Sequence, residues 1–114
     1  MKTLKNSIIN ILEDNKGEDI TLIDVKGKSS VTDLMFIVSG RSTRHVKSIA
    51  DNLVTKLKKI KMKPIGIEGY SSSEWILLDY GDLLVHVMHP ATREFYSLEK
   101  LWDENLETDS YTYI

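Results

Sequence analysis

No cysteine occurs in the 114 residues, so neither a disulfide nor a thiolate metal site can form. That composition fits a reducing compartment, and a cytoplasmic location is expected. Proline is scarce too: Pro64 and Pro90 are the only two, and each stands where a regular segment should end. No apolar run approaches the length of a bilayer span, and residues 1–6 are not followed by a signal-type apolar region, so no membrane partner is expected. There is no internal repeat and no low-complexity linker. Histidine is limited to three, and His86 and His89 stand three apart on one extended run, where they point to opposite faces; no metal and no cofactor is expected. Gly27-Lys28-Ser29 looks like the end of a phosphate-binding loop. That motif needs a glycine where this chain has Leu22, and it needs a helix next, whereas a strand pattern follows.

What remains is ordinary globular material, with 41% hydrophobic and 28% charged residues, enough for one core in one domain. The net charge of −2 conceals a partition. Residues 41–63 carry eight basic side chains (Arg41, Arg44, Lys47, Lys56, Lys58, Lys59, Lys61, Lys63) against one acid, Asp51. From 64 to the end, two bases, Arg93 and Lys100, face ten acids. The second half therefore favours a basic partner.

The chain is organised around residues 75–88, W-I-L-L-D-Y-G-D-L-L-V-H-V-M, two apolar runs joined at Tyr80-Gly81-Asp82. This reads as a β-hairpin. Pairing about the turn sets Tyr80 against Leu83, Leu78 against Val85 and Ile76 against Val87, all on one apolar face. The other face pairs Trp75 with Met88, Leu77 with His86 and Asp79 with Leu84. A face mixing Trp, Met, Leu, His and Asp is neither solvated nor a clean core, and is expected to be covered by something, whether a partner, a helix of the chain or a dimer mate.

Around the hairpin, Leu4, Ile8, Ile11 and Leu12 fit an amphipathic helix that stops near Gly17. Residues 19–25 read as a strand with Ile20, Leu22 and Asp24 on one face. Asp24, Ser29, Ser30 and Asp33 are turn makers. Residues 34–39 read as a strand buried on both faces. Ser42 or Thr43 is expected to cap a second helix whose stripe is Val46, Ile49, Ala50, Leu53, Val54, Leu57 and Ile60. A short strand at 65–68 precedes the hairpin. A third helix starts near Ala91, with Phe95, Leu98 and Trp102 on one face and Tyr96 off it. The order α-β-β-α-β-β-β-α implies an α/β sandwich on a mixed five-stranded sheet, one domain over 1–102 with a loose acidic tail over 103–114.

Chemistry is not prominent. His45 lies among Ser42, Thr43 and Arg44, but no nucleophile elbow or oxyanion site accompanies it, and a structural hydrogen bond at a helix start is the expected role. Asp79 and Asp82 flank a turn without forming a paired-acid site.

Five ordered segments carry a family resemblance: Asp24-Val25-x-Gly27-Lys28-Ser29-Ser30-x-Thr32-Asp33; Gly40-x-Ser42-x-Arg44-His45-Val46-x-Ser48-Ile49-Ala50-Asp51; Gly66-x-Glu68-Gly69; Trp75-Ile76-x-x-Asp79-x-Gly81-Asp82-x-x-Val85-His86-x-Met88; and Arg93-x-x-Tyr96-x-Leu98-Glu99-x-Leu101-Trp102. Together they resemble the ribosomal silencing factor family, also called Iojap-like, from Leu4 to Trp102. The resemblance implies a fold similar to nucleotidyltransferases without their catalytic carboxylates, and a translational repressor rather than an enzyme. It implies a cytoplasmic protein docking on the large ribosomal subunit through that subunit's protein fourteen and blocking the small subunit from joining. The expected contact residues are Trp75, Leu77, Asp79, Leu84, His86 and Met88 on the second hairpin face, with Arg93 and Tyr96 at its border. A nucleotidyltransferase-like enzyme, or an RNA-binding accessory factor in ribosome biogenesis, is the alternative. A minor contact with ribosomal RNA and a homodimer of the free protein stay open.

Overall fold

Alternation along the central strands sends apolar side chains to both faces of one sheet, so the protein has two cores. The structure is a computed structural model and describes residues 2–27, 29–30, 32–103 and 111–113. Elements follow in the order α1 (Lys2–Asp14), β1 (Glu18–Asp24), β2 (Leu34–Ser39), α2 (Thr43–Lys58), β3 (Gly66–Glu68), β4 (Trp75–Asp79), β5 (Leu83–Met88), α3 (Pro90–Tyr96), α4 (Leu98–Asp103) and β6 (Tyr111–Tyr113). The sheet order is β3-β4-β5-β2-β1-β6, with β2 and β5 parallel and every other neighbouring pair antiparallel. The mixed α/β architecture and the first five strands are those the sequence implies. The short strand Tyr111–Tyr113 adds a sixth along β1. The rest of the expected acidic tail, 104–110 and 114, lies outside the described residues.

The first core lies between the sheet and α1 and α2. Ile8 and Leu12 from α1, with Val46, Ile49, Leu53 and Leu57 from α2, pack on Phe36, Val38, Ile76, Leu78, Val85 and Val87. Spacings of three and four put the α2 residues on one stripe, and period two puts the strand residues on one face. Ser42 caps α2 by accepting the His45 backbone N–H at 3.1 Å. His45 takes the structural role expected of it. Its Nδ1 accepts from the Arg41 backbone N–H at 2.9 Å, and its Nε2 lies 2.8 Å from the Asn15 carbonyl at the end of α1. The apolar stripe was expected to reach Ile60. The helix ends two residues earlier, and the 59–61 turn, with Lys61 at φ 63°, leaves Ile60 exposed.

The second core is smaller: Ile23, Val25, Met35, Ile37 and Met88 on the opposite face, with Trp75, Leu84 and Leu98 packed against them. Hairpin register is as the sequence implies, with Trp75 opposite Met88, Leu77 opposite His86 and Asp79 opposite Leu84. Both faces of the hairpin thus carry buried side chains, and the cover expected over the second face comes in part from the chain itself: Leu98 of α4 packs there. The expected single third helix is also corrected. Ser97 adopts a left-handed conformation (φ 48°, ψ 51°), which ends α3 before α4 begins. Of Trp102 only its place in α4 is described.

Candidate partner-binding site

Three rings meet where β4 begins and α3 ends. The Trp75 and Tyr96 centroids are 4.9 Å apart at 50°, and Phe95 meets Tyr96 edge-on at 5.0 Å and 85°. Such tilted and edge-to-face pairs suit the ring quadrupoles. Phe95 is 80% exposed and Tyr96 53% exposed. Isolated exposed aromatics are unremarkable, but Phe95 set on Tyr96, and Tyr96 on a half-buried Trp75, form a patch. Beside the rings runs a groove of about 450 Å³ lined by Ser72, Glu74, Trp75, Ala91, Thr92, Phe95 and Tyr96.

Local chain geometry holds this corner together. Gly69 has φ +79°, and a Cβ there would lie 2.0 Å from the Trp75 carbonyl oxygen, so only glycine lets the 69–74 loop close against the start of β4. The His89 backbone N–H donates to the Glu74 carbonyl at 2.8 Å, tying the end of β5 to the residue before β4. His89 then caps α3, its Nδ1 accepting the Ala91 backbone N–H at 3.3 Å, and Pro90 fills the first helical position.

Beneath the rings the polar groups are internal. The Trp75 indole N–H donates to Nδ1 of His86 at 2.9 Å, which fixes the neutral tautomer with its proton on Nε2. Nε2 is buried and has no hydrogen-bond partner among the described residues, and burial pushes the His86 pKa down to about 4. Arg93 is buried as well. Its guanidinium donates to Glu99 at 2.9 Å, to Ser39 Oγ at 2.9 Å and to Thr21 Oγ1 at 2.8 Å, bolting α3 to α4, β2 and β1. Three charge-assisted bonds to a planar fork explain why arginine stands here. Asp79 accepts the Gly81 backbone N–H at 2.8 Å and shapes the hairpin turn. Among the described residues no three His, Asp or Glu come together as a metal site.

An arrangement of stacked surface rings over a rigid polar underlayer can bind a surface. The comparisons with known proteins say which kind of protein carries it. Residues 1–112 match the family described as ribosomal silencing factor during starvation. The chain belongs to that family. The ribosomal silencing factor RsfS of Haemophilus influenzae is 46% identical over 95 residues, covering 83% of this chain and 93% of that one. A crystal structure of a Chromobacterium violaceum protein superposes with a TM-score of 0.87 at 38% identity, covering 95% of this chain and 90% of that one. A mouse protein named mitochondrial assembly of ribosomal large subunit protein 1 is 37% identical over 98 residues, covering 83% of this chain and 43% of that one.

As a ribosomal silencing factor the chain is a translation regulator, not an enzyme, and its expected contact residues divide into two groups. Trp75, Leu77, Asp79 and Leu84 are half-buried and Tyr96 is exposed, so these reach the surface. Met88, His86 and Arg93 do not: they are buried, because α3 and α4 fold back over the second hairpin face. Sequence reasoning missed Phe95, assigning it to the packed face of a continuous third helix. Both rings are exposed, and it is Tyr96 that meets Trp75. Glu74 and Thr92, which line the groove, carried no pattern that singled them out.

Proposed function

We infer that this silencing factor docks on the large ribosomal subunit, through that subunit's protein fourteen, and blocks joining of the small subunit by occupying its place. The reading is carried by the exposed Phe95–Tyr96–Trp75 ring cluster in a chain of this family. Aromatic anchors dominate binding energetics at the centre of an interface. Glu74 lines the groove beside the rings, Glu94 is exposed just before Phe95 in the chain, and the half of the chain that bears them has ten acids against two bases, one of which, Arg93, is internally paired. A basic protein surface on the subunit suits that charge. Trp75, Tyr96 and Phe95 form the anchor, Leu77, Asp79 and Leu84 extend the contact, and His86, Met88 and Arg93 hold it from beneath. The unit that docks is the single domain over 1–102, acting in the cytoplasm. No helix among the described residues is long and apolar enough to cross a membrane.

Co-sedimentation tests this. The protein is expected to pellet with purified large subunits and not with small subunits, and Phe95→Asp to lose that association while keeping its fold. Equal pelleting with both subunits, or Phe95→Asp pelleting like the wild type, would overturn it.

A further inference from the structure

The helix layer on the first face is incomplete. The sheet runs from β3 to β6, yet among the described residues only α1 and α2 lie on that face, and α2 packs on β4 and β5. Among the described residues no helix beyond α2 lies over the β3 edge, and α2 borders it across a groove. Ile67 pairs with Leu78, so its side chain points to the α2 side, where it is 43% exposed. It lines a groove of about 490 Å³ together with Asp51, Val54, Thr55 and Tyr70. Tyr70 is 39% exposed, and Ile65, just before β3, is 75% exposed. Buried apolar residues need no explanation here; a row of exposed ones along an unpaired sheet edge does.

Charge narrows the occupant. On α2, Lys47, Asp51, Val54 with its neighbour Thr55, and Lys58 follow one another at spacings of three and four, so the groove's helical wall carries Asp51, Val54 and Thr55 with a lysine at each end. Lys47 Nζ sits 4.7 Å from the Tyr70 ring centroid. Asp51, the single acid of the 41–63 stretch, is occupied in accepting the Tyr70 hydroxyl at 3.1 Å. Lys56, Lys58, Lys59, Lys61 and Lys63 are all exposed beyond it. A cationic frame around a trough whose apolar lining is Val54, Ile67 and the Tyr70 ring fits an apolar stripe with acidic flanks. The trough runs beside α2, at the position where one more helix completes a two-layer packing.

We propose that the α2–β3 groove is a second docking surface, which takes an acidic amphipathic helix from a partner protein. It lies on the opposite face of the sheet from the Trp75–Tyr96–Phe95 cluster, so one partner can be held there while the ring cluster is engaged elsewhere. The proposal does not depend on what the ring cluster binds.

The test titrates the isotope-labelled full chain with two synthetic helical peptides. Both share a leucine stripe at i, i+3, i+4 and i+7; one carries Glu on its flanks and the other Lys. The Glu peptide is expected to shift the backbone amides of Val54, Ile67 and Tyr70, with an affinity at least ~10-fold above that of the Lys peptide. Ile67→Lys is expected to weaken it at least ~10-fold with an unchanged melting curve, because the side chain is already exposed. Phe95→Asp is expected to leave it unchanged. Failure of the Glu peptide to shift these amides, or equal affinity for both peptides, overturns the proposal. So does a short RNA duplex that shifts the same amides more tightly, which makes the surface a phosphate site. So does a sedimentation dimer abolished by Ile67→Lys, which makes the occupant a second copy.

Discussion

Trp75 and His86 are diagonal neighbours on one face of the hairpin, joined by a side-chain hydrogen bond, and each restricts the other. The indole N–H needs an unprotonated Nδ1, and burial keeps His86 neutral by pushing its pKa to about 4. In the unfolded chain the imidazole titrates near ~6.5. Between those values the unfolded state binds the extra proton, so this contribution to stability is complete above ~6.5 and is lost as pH falls towards about 4. The total is of order 3 kcal/mol at most. Thermal melts from about pH 7.5 down to about 4.5 should show the wild type losing more stability than His86→Asn, whose side-chain oxygen can still accept from Trp75; parallel losses would contradict the assignment. Trp75 itself is a mixed case, because its ring is half inside the second core. Trp75→Ala is expected to lower stability by ~2–4 kcal/mol as well as docking, while Ile76→Ala lowers stability alone. Phe95, exposed and touching Tyr96, separates the two effects: Phe95→Asp should change stability by less than ~0.5 kcal/mol and weaken docking by ~2 kcal/mol or more.

At the scale of elements, the hairpin was legible and its cover was not. Alternation along 75–88 determines which residues oppose which, and the observed register of Trp75 with Met88 and Leu77 with His86 follows from it. Whether the second face is solvent, partner contact or core depends on where α3 and α4 travel, and no local pattern encodes that. The spacing of Phe95, Leu98 and Trp102 reads as one helix. Ser97 breaks it in a left-handed turn, and serine carries only a weak preference for that conformation. The break is held by tertiary contacts instead: Arg93 on one side of the turn binds Glu99 on the other, and also reaches Ser39 and Thr21. Arg93→Ala should therefore destabilise the protein by ~3–5 kcal/mol, because it leaves the Glu99 carboxylate, 17% exposed, without its cation. Chemical denaturation checks this, and a loss under ~1 kcal/mol would show the pair to be peripheral.

At the scale of the whole molecule, the sheet separates two surfaces of opposite character. One face carries the basic α2 and the groove beside β3; the other carries α3, the ring cluster and its acidic neighbours. The charge partition was visible in the sequence, because it needs only counting. Its placement on opposite faces of one sheet needed the fold. Docking through the ring face should weaken as salt rises from ~50 to ~300 mM, where exposed charges are increasingly screened, yet retain a residue of binding from the aromatic centre. An affinity flat across that range would remove the electrostatic part of the account. The most direct measurement of the central claim is light scattering during subunit joining. Purified large subunits are preincubated with the protein and mixed with small subunits. The wild type is expected to suppress the joining signal, and Phe95→Asp, equally folded, is expected not to. Joining at the uninhibited rate while the wild type is bound to the large subunit would contradict it.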